Sequence, residues 1–124
     1  MQNIIPNVQV NIPFRMLDDS YLERFLEYGL NPEIGIDAAA LDGFSFADFK
    51  RIGKIFHDHG LTVTLHGPFI DLSAGSTDPA VRALTQNRFE QLLKVVPVFR
   101  PKTVVCHAGY DWRRYGYFKS HWLE

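Results

Sequence analysis

Apolar and polar positions along this chain switch between a period of two and the helical period. Val8-Gln9-Val10-Asn11-Ile12 alternates and stops at Pro13, the pattern of a half-buried strand. Behind it Asp18-Asp19-Ser20 offers a helix cap, Leu22, Phe25 and Leu26 form an apolar stripe, and Gly29 supplies a left-handed stop. Glu33-Ile34-Gly35-Ile36-Asp37 reads as a second strand. Ser45 followed by Asp48 resembles a capping box; it opens a second helix that buries Phe49, Ile52, Ile55 and Phe56 and ends at Gly60. Leu61-Thr62-Val63-Thr64-Leu65 is a β-branched strand closed by His66-Gly67-Pro68.

A polar segment from Asp71 to Thr77 separates it from a third helix. There Asp78 caps, Pro79 takes the first position, and Leu84, Leu92, Val95, Val96 and Phe99 carry the stripe. Pro97 is expected to end or bend that helix. Thr103-Val104-Val105-Cys106 is a fourth strand, with Cys106 expected to be an inert buried hydrophobe. It runs into His107-Ala108-Gly109-Tyr110, after which Tyr115, Phe118 and Trp122 open another apolar helical face.

Strand and helix alternate throughout, the order of parallel strands joined by right-handed crossovers. Two α/β architectures accommodate it. A doubly wound sheet closes at this length, whereas a (β/α)₈ barrel needs ~250 residues, so 124 residues make half of one. The last apolar face stops at Glu124 without cap or glycine, which favours the half barrel: residues 1–124 as a single unit of four strands, three helices and the start of a fourth.

Composition narrows the function. The chain is 46% hydrophobic and 22% charged, with 13 Lys+Arg against 14 Asp+Glu and a net charge of −1. These are the proportions of a soluble globular domain, and no basic window provides the footprint of nonspecific nucleic-acid binding. No apolar run reaches the ~20 residues that span a bilayer. Met1-Gln2-Asn3-Ile4-Ile5-Pro6 lacks the basic and apolar regions of an export signal, so a cytoplasmic location is expected. One cysteine excludes an internal disulfide framework and a cysteine-based zinc cluster.

In parallel α/β folds ligands collect at the carboxyl ends of strands. Those ends here present Asn11 to Arg15, Asp37, His66 and His107. Two histidines, each closing an apolar strand and each followed within two residues by glycine, form the main candidate. Neutral imidazole is a common metal ligand, and strands ~4.8 Å apart let neighbouring tips converge on one ion. The bland alternative is that each ring hydrogen-bonds a loop. Two imidazoles are an incomplete site, since catalytic zinc takes three protein ligands and Mn²⁺ or Mg²⁺ prefers carboxylates. Asp37 is the strand-end carboxylate, Phe14 a candidate apolar wall for a sugar, and Trp112 and Arg113 lie in the loop after the fourth strand, where arginine can fork onto phosphate. Core packing and a solvated loop are the competing readings for Phe14 and Arg113. His57 and His59, in the last turn of the second helix, are read as structural.

His66-Gly67-Pro68-Phe69, continuing through Asp71-Leu72-Ser73-Ala74-Gly75-Ser76-Thr77-Asp78, resembles the His-x-Pro-Phe/Tyr and Asn-x-Gly-Ser-x-Asp run of xylose isomerase-like TIM barrels. Val104-Val105-Cys106-His107-Ala108-Gly109-Tyr110 resembles that superfamily's fourth-strand His-x-Gly segment. The superfamily includes sugar-phosphate isomerases and epimerases and the type IV apurinic (AP) endonucleases. The likeness covers nearly the whole chain but only the first half of the barrel. In the endonuclease branch it implies zinc on the equivalents of His66 and His107. In the isomerase/epimerase branch it implies a divalent ion held mainly by later carboxylates and a histidine, with His66 facing substrate. Those later glutamates, the general base included, have no counterpart here.

The resulting expectation is a divalent-metal-dependent sugar or sugar-phosphate isomerase/epimerase-like chain, inactive alone, whose incomplete site holds zinc, manganese or magnesium. Its expected partner is a small sugar or sugar phosphate. One rival is a zinc phosphodiesterase acting on abasic DNA, which the scarcity of Lys and Arg in the strand-end loops disfavours. Another is a noncatalytic half barrel that self-associates through its two open sheet edges.

Overall fold

The computed structural model describes residues 4–124, with the side chain of Asp19 also outside the description. The first residues of the N-terminal stretch discussed above therefore lie outside it. Four parallel strands, β1 (Gln9–Pro13), β2 (Asn31–Gly35), β3 (Thr64–His66) and β4 (Val104–Val105), form one sheet in the order β1-β2-β3-β4. Sequential neighbours in a parallel sheet are the signature of a barrel wall, so the half (β/α) architecture expected from the element order is the observed one.

The register aligns the strand tips. Pro13 stands opposite Gly35, Gly35 opposite His66, and His66 opposite Val105. Alternation then sends Ile12, Ile34 and Leu65 into the buried layer beneath the helices, while Asn11, Glu33 and His66 share the other face.

The helices are α1 (Phe14–Met16), α2 (Leu22–Glu27), α3 (Ala38–Gly43), α4 (Phe46–Asp58), α5 (Pro79–Phe99), α6 (Trp112–Tyr115) and α7 (Lys119–Leu123). The first helical stretch starts earlier than the expected cap at Asp18–Ser20. Pro13 ends β1 and serves as N-cap, and a π turn over Leu17–Tyr21 joins α1 to α2. Asp18 pairs instead with Arg51 of α4. Gly29, at φ 61, closes this stretch as expected.

The second strand ends at Gly35 rather than Asp37, because Asp37 accepts a hydrogen bond from the Ala40 amide (2.7 Å) and caps α3. The sequence reading missed α3, although Asp37-Ala38-Ala39-Ala40 carries a cap and strong helix formers. In α4 the capping box is complete: Ser45 Oγ accepts from the Asp48 amide, and Asp48 accepts from the Ser45 amide at 2.8 Å.

In α5 Asp78 and Pro79 start the helix as expected, and Pro97 lies inside the element, which runs on to Phe99. Pro97 and Leu93, whose carbonyl loses its partner, both lie on the exposed side, where water can replace the bond. Leu84, expected in the stripe, is exposed, and its neighbour Thr85 is buried in its place. The last face is broken into α6, a 3₁₀ turn over Gly116–Phe118, and α7; of its three aromatic positions Phe118 is exposed and Trp122 is partly buried.

The core lies between sheet and helices. Phe14, Phe49, Phe56 and Phe99 are fully buried there, with Phe14 packed 4.5 Å from Phe49 and 4.9 Å from Phe44, centroid to centroid. No helix among the described residues is long and apolar enough to cross a membrane.

Candidate functional site

The tip of β3 is held on both sides by backbone hydrogen bonds. The Ile36 amide donates to the His66 carbonyl, and the Gly67 amide donates to the Val105 carbonyl, both at 2.8 Å. A Cβ at position 67 would stand 2.8 Å from Leu92 Cδ2, so any larger residue there requires the buried Leu92 side chain to shift. With the backbone pinned, His66 projects from the open face, toward the side chain that follows β4.

His66 Nε2 and His107 Nε2 lie 2.9 Å apart, their ring centroids 4.9 Å apart and nearly perpendicular. Phe69 stacks on His107 at 4.4 Å and meets His66 edge-on at 5.2 Å, so the two rings share one aromatic wall. Within the pair one nitrogen carries a proton and the other accepts it. The two Nε2 atoms face one another. Tetrahedral zinc with bonds of about 2.0–2.1 Å separates two imidazole nitrogens by about 3.3 Å, so a few tenths of an ångström of side-chain movement admits an ion. The pair fits a divalent metal in donor type, two imidazole nitrogens side by side. Among the described residues no cluster of three or more His, Cys, Asp or Glu completes the shell.

Beside His66 is a cavity of about 280 Å³, whose polar wall is Asn11, Asp37 and His66 and whose apolar wall includes Ile36, Pro68 and Phe69. One Asp37 oxygen is taken by the Ala40 amide. Asn11 is oriented by donating to Glu33 Oε1 at 3.0 Å. No Lys or Arg lines this cavity, and its one carboxylate is Asp37, so its chemistry suits hydroxyl donors on an apolar frame rather than a phosphate.

Of the residues singled out in the sequence, the structure brings together His66, His107 and Asp37 at one rim. Phe14 is elsewhere: it is 0% exposed in the phenylalanine cluster, because the chain turns into α1 directly after Pro13 and folds the ring under the sheet. Its role is core packing rather than a sugar wall. Trp112 is 69% exposed with the Arg113 guanidinium 5.6 Å from its ring, and neither lines the cavity. A second cavity of about 400 Å³, between the loops after β3 and β4, is bordered by Arg114 and Tyr115 instead.

Cys106 is exposed rather than buried, because β4 is a two-residue edge strand with a neighbour on one side. Sequence reasoning placed Asn11 at a ligand-collecting strand end without giving it a specific role, and singled out neither Glu33 nor Phe69. Asn11 and Glu33 were findable from strand alternation, which puts them on the face of His66; Phe69 lies within the quoted His-Gly-Pro-Phe run.

With this geometry in hand, solved structures give a consistent comparison. The chain is similar to the TTHB071 protein from Thermus thermophilus, solved after soaking with ZnCl₂, at 27% identity and TM-score 0.71 over 83% of this chain and 40% of that one. It shares its fold with a D-tagatose 3-epimerase-like protein (20% identity, TM-score 0.68, 94% of this chain and 43% of that one). It also shares it with a D-psicose 3-epimerase solved in the presence of D-fructose (24%, TM-score 0.56, 78% and 36%). No family profile and no curated protein sequence matches the chain. These neighbours agree with the half-barrel fold expected from the element order, and the chain spans about two fifths of their length.

Proposed function

We propose that this chain is the metal- and substrate-facing first half of a sugar or sugar-phosphate isomerase/epimerase-like barrel, forming one unit over residues 1–124. The convergence of His66 Nε2 and His107 Nε2 to 2.9 Å at the carboxyl rim carries the reading. The cavity beside them and the sugar epimerases among the structural neighbours support it.

In this reading His66 and His107 hold a zinc, manganese or magnesium ion through their Nε2 atoms. Bound there, the ion supplies Lewis-acid polarisation of a carbonyl and its neighbouring hydroxyl. Asp37 and Asn11 accept hydrogen bonds from substrate hydroxyls, and Phe69 gives the carbon frame an apolar wall. Trp112 and Arg113, exposed beyond the rim, would serve only a ligand extending past this cavity. Asp37 is the one carboxylate lining the cavity beside His66 and one of its oxygens is tied to the Ala40 amide, so proton transfer is proposed to need groups beyond these.

Metal analysis after exhaustive dialysis tests the centre. Zinc retained by the wild type and lost in His66→Ala and in His107→Ala supports it. No retention above the imidazole pKa, or retention unaffected by both substitutions, overturns it. The phosphodiesterase alternative predicts nicking of an abasic oligonucleotide by the zinc-loaded chain; the cation-free cavity beside His66 favours the sugar reading.

The sheet order supports one further proposal. β1 and β4 each pair on one side only among the described strands, and two copies joined β4 to β1 about a two-fold axis would close a ring of eight. A monomer mass by light scattering excludes that assembly.

A further inference from the structure

The two histidines are held in different ways. His66 is fixed by the sheet, its carbonyl accepting from the Ile36 amide. Beyond β4, no backbone hydrogen bond among the described residues holds residues 107–110. What keeps His107 in place must therefore be side-chain packing and whatever clamps the chain that follows it.

That chain meets the loop between β3 and α5 at three places. Phe69 of the loop stacks on the His107 ring at 4.4 Å. Gly109, at φ 72, passes so close that a Cβ there would stand 2.5 Å from the Leu72 carbonyl oxygen. Trp122 lies against Gly75, where a Cβ would collide with both its indole and its carbonyl oxygen, and its Nε1 donates to Ser73 Oγ at 3.2 Å. The loop side of this clamp is anchored: Ser73 is buried, its amide donates to Thr85 Oγ1 at 2.9 Å, and that hydroxyl donates to the Val81 carbonyl within α5. On the other side Trp112, Tyr117 and Phe118 face solvent, and Trp122 reaches back to the Tyr110 ring at 5.0 Å, three residues after His107.

We infer that Trp122 is a latch for the histidine pair: by clamping the chain after β4 onto the loop that carries Phe69, it holds His107 Nε2 against His66 Nε2. Trp122 is a positioning residue, acting through Tyr110 and the loop. Its consequence for zinc rests on the metal reading proposed above, whereas the clamp itself is a property of the protein alone.

Two substitutions on opposite sides of the contact test it. Trp122→Ala removes the latch, and Gly75→Ala pushes it off with a methyl group. With metal removed by chelator, the nuclear Overhauser contact between the Phe69 and His107 rings should be present in the wild type and lost in both variants. The contact between Phe69 and His66 should persist in both. Zinc affinity, measured by chelator competition, should fall about ten- to hundredfold in each, the usual cost of removing a group that orients a ligand. Tyr117→Ala, in the same stretch but fully exposed, should leave both readouts unchanged. A Phe69–His107 contact that survives both substitutions overturns the inference, as does unchanged zinc affinity in both variants of a zinc-binding wild type. Loss of the Phe69–His66 contact as well, or an equal effect of Tyr117→Ala, marks general loosening and overturns it too. If the wild type binds no zinc while both variants lose only the His107 contact, the metal reading fails and the latch stands.

Discussion

From β1 to the end of α5 the chain closes over its own side chains, with Phe14, Phe49, Phe56 and Phe99 fully buried and α4 locked by a complete capping box. Beyond β4 it does the reverse. The strand has two residues, Trp112 and Phe118 are largely exposed, and Tyr117 is 100% exposed. What ties this last segment down is Trp122, which donates to Ser73 Oγ at 3.2 Å and lies 5.0 Å from the Tyr110 ring. The difference shows where the site stands: His66 rises from the well-packed region and His107 from the thinly packed one, so the pair bridges two levels of local stability.

The contrast can be broken most directly in the core. Phe49→Ala, which leaves a void among three other phenylalanines, should cost about 3–5 kcal/mol in chemical denaturation, whereas Phe118→Ala should stay within about 0.5 kcal/mol. Equal losses would erase the distinction between the two regions. Gly53→Ala pushes a methyl into the Val98 carbonyl and should destabilise the α4–α5 contact by about 1–3 kcal/mol, read the same way. Ser45→Ala removes the N-cap acceptor for the Asp48 amide and should cost about 1 kcal/mol, seen as earlier thermal melting.

The smallest expected effect is in acid. The hydrogen bond from Arg88 holds the Asp42 carboxyl below its ordinary value of 3.8. A depressed folded value stabilises above the unfolded one and is lost as pH falls through it, so Tm should drop as the pH falls through and below 3.8. That acid limb should be shallower in Arg88→Gln.

Much of this was legible in the sequence because the signals were local. Ser45-Asp48, Asp78-Pro79, Gly29 and Gly60 fix helix ends through their own backbone and side-chain chemistry, and each stands where expected. The two histidines were legible because each closes an apolar strand and is followed within two residues by glycine. Three of the errors concern partners far away in the chain. Phe14 goes to the core because Phe44, Phe49 and Phe99 surround it, and Cys106 is exposed because nothing pairs with the outer side of β4 among the described residues. Thr85 replaces Leu84 in the interior because the Ser73 amide donates to its hydroxyl, a bond between a loop and a helix that no periodicity encodes.

Asp37 links the rim to the layer behind it. One of its oxygens pins the first turn of a six-residue helix, and that helix is clasped to α5 at its other end by Asp42 and Arg88. A guest that donates to the remaining oxygen pulls on the same carboxylate. Its arrival should therefore be felt as slower amide exchange along α3, making this short element a built-in reporter of whether the rim is filled.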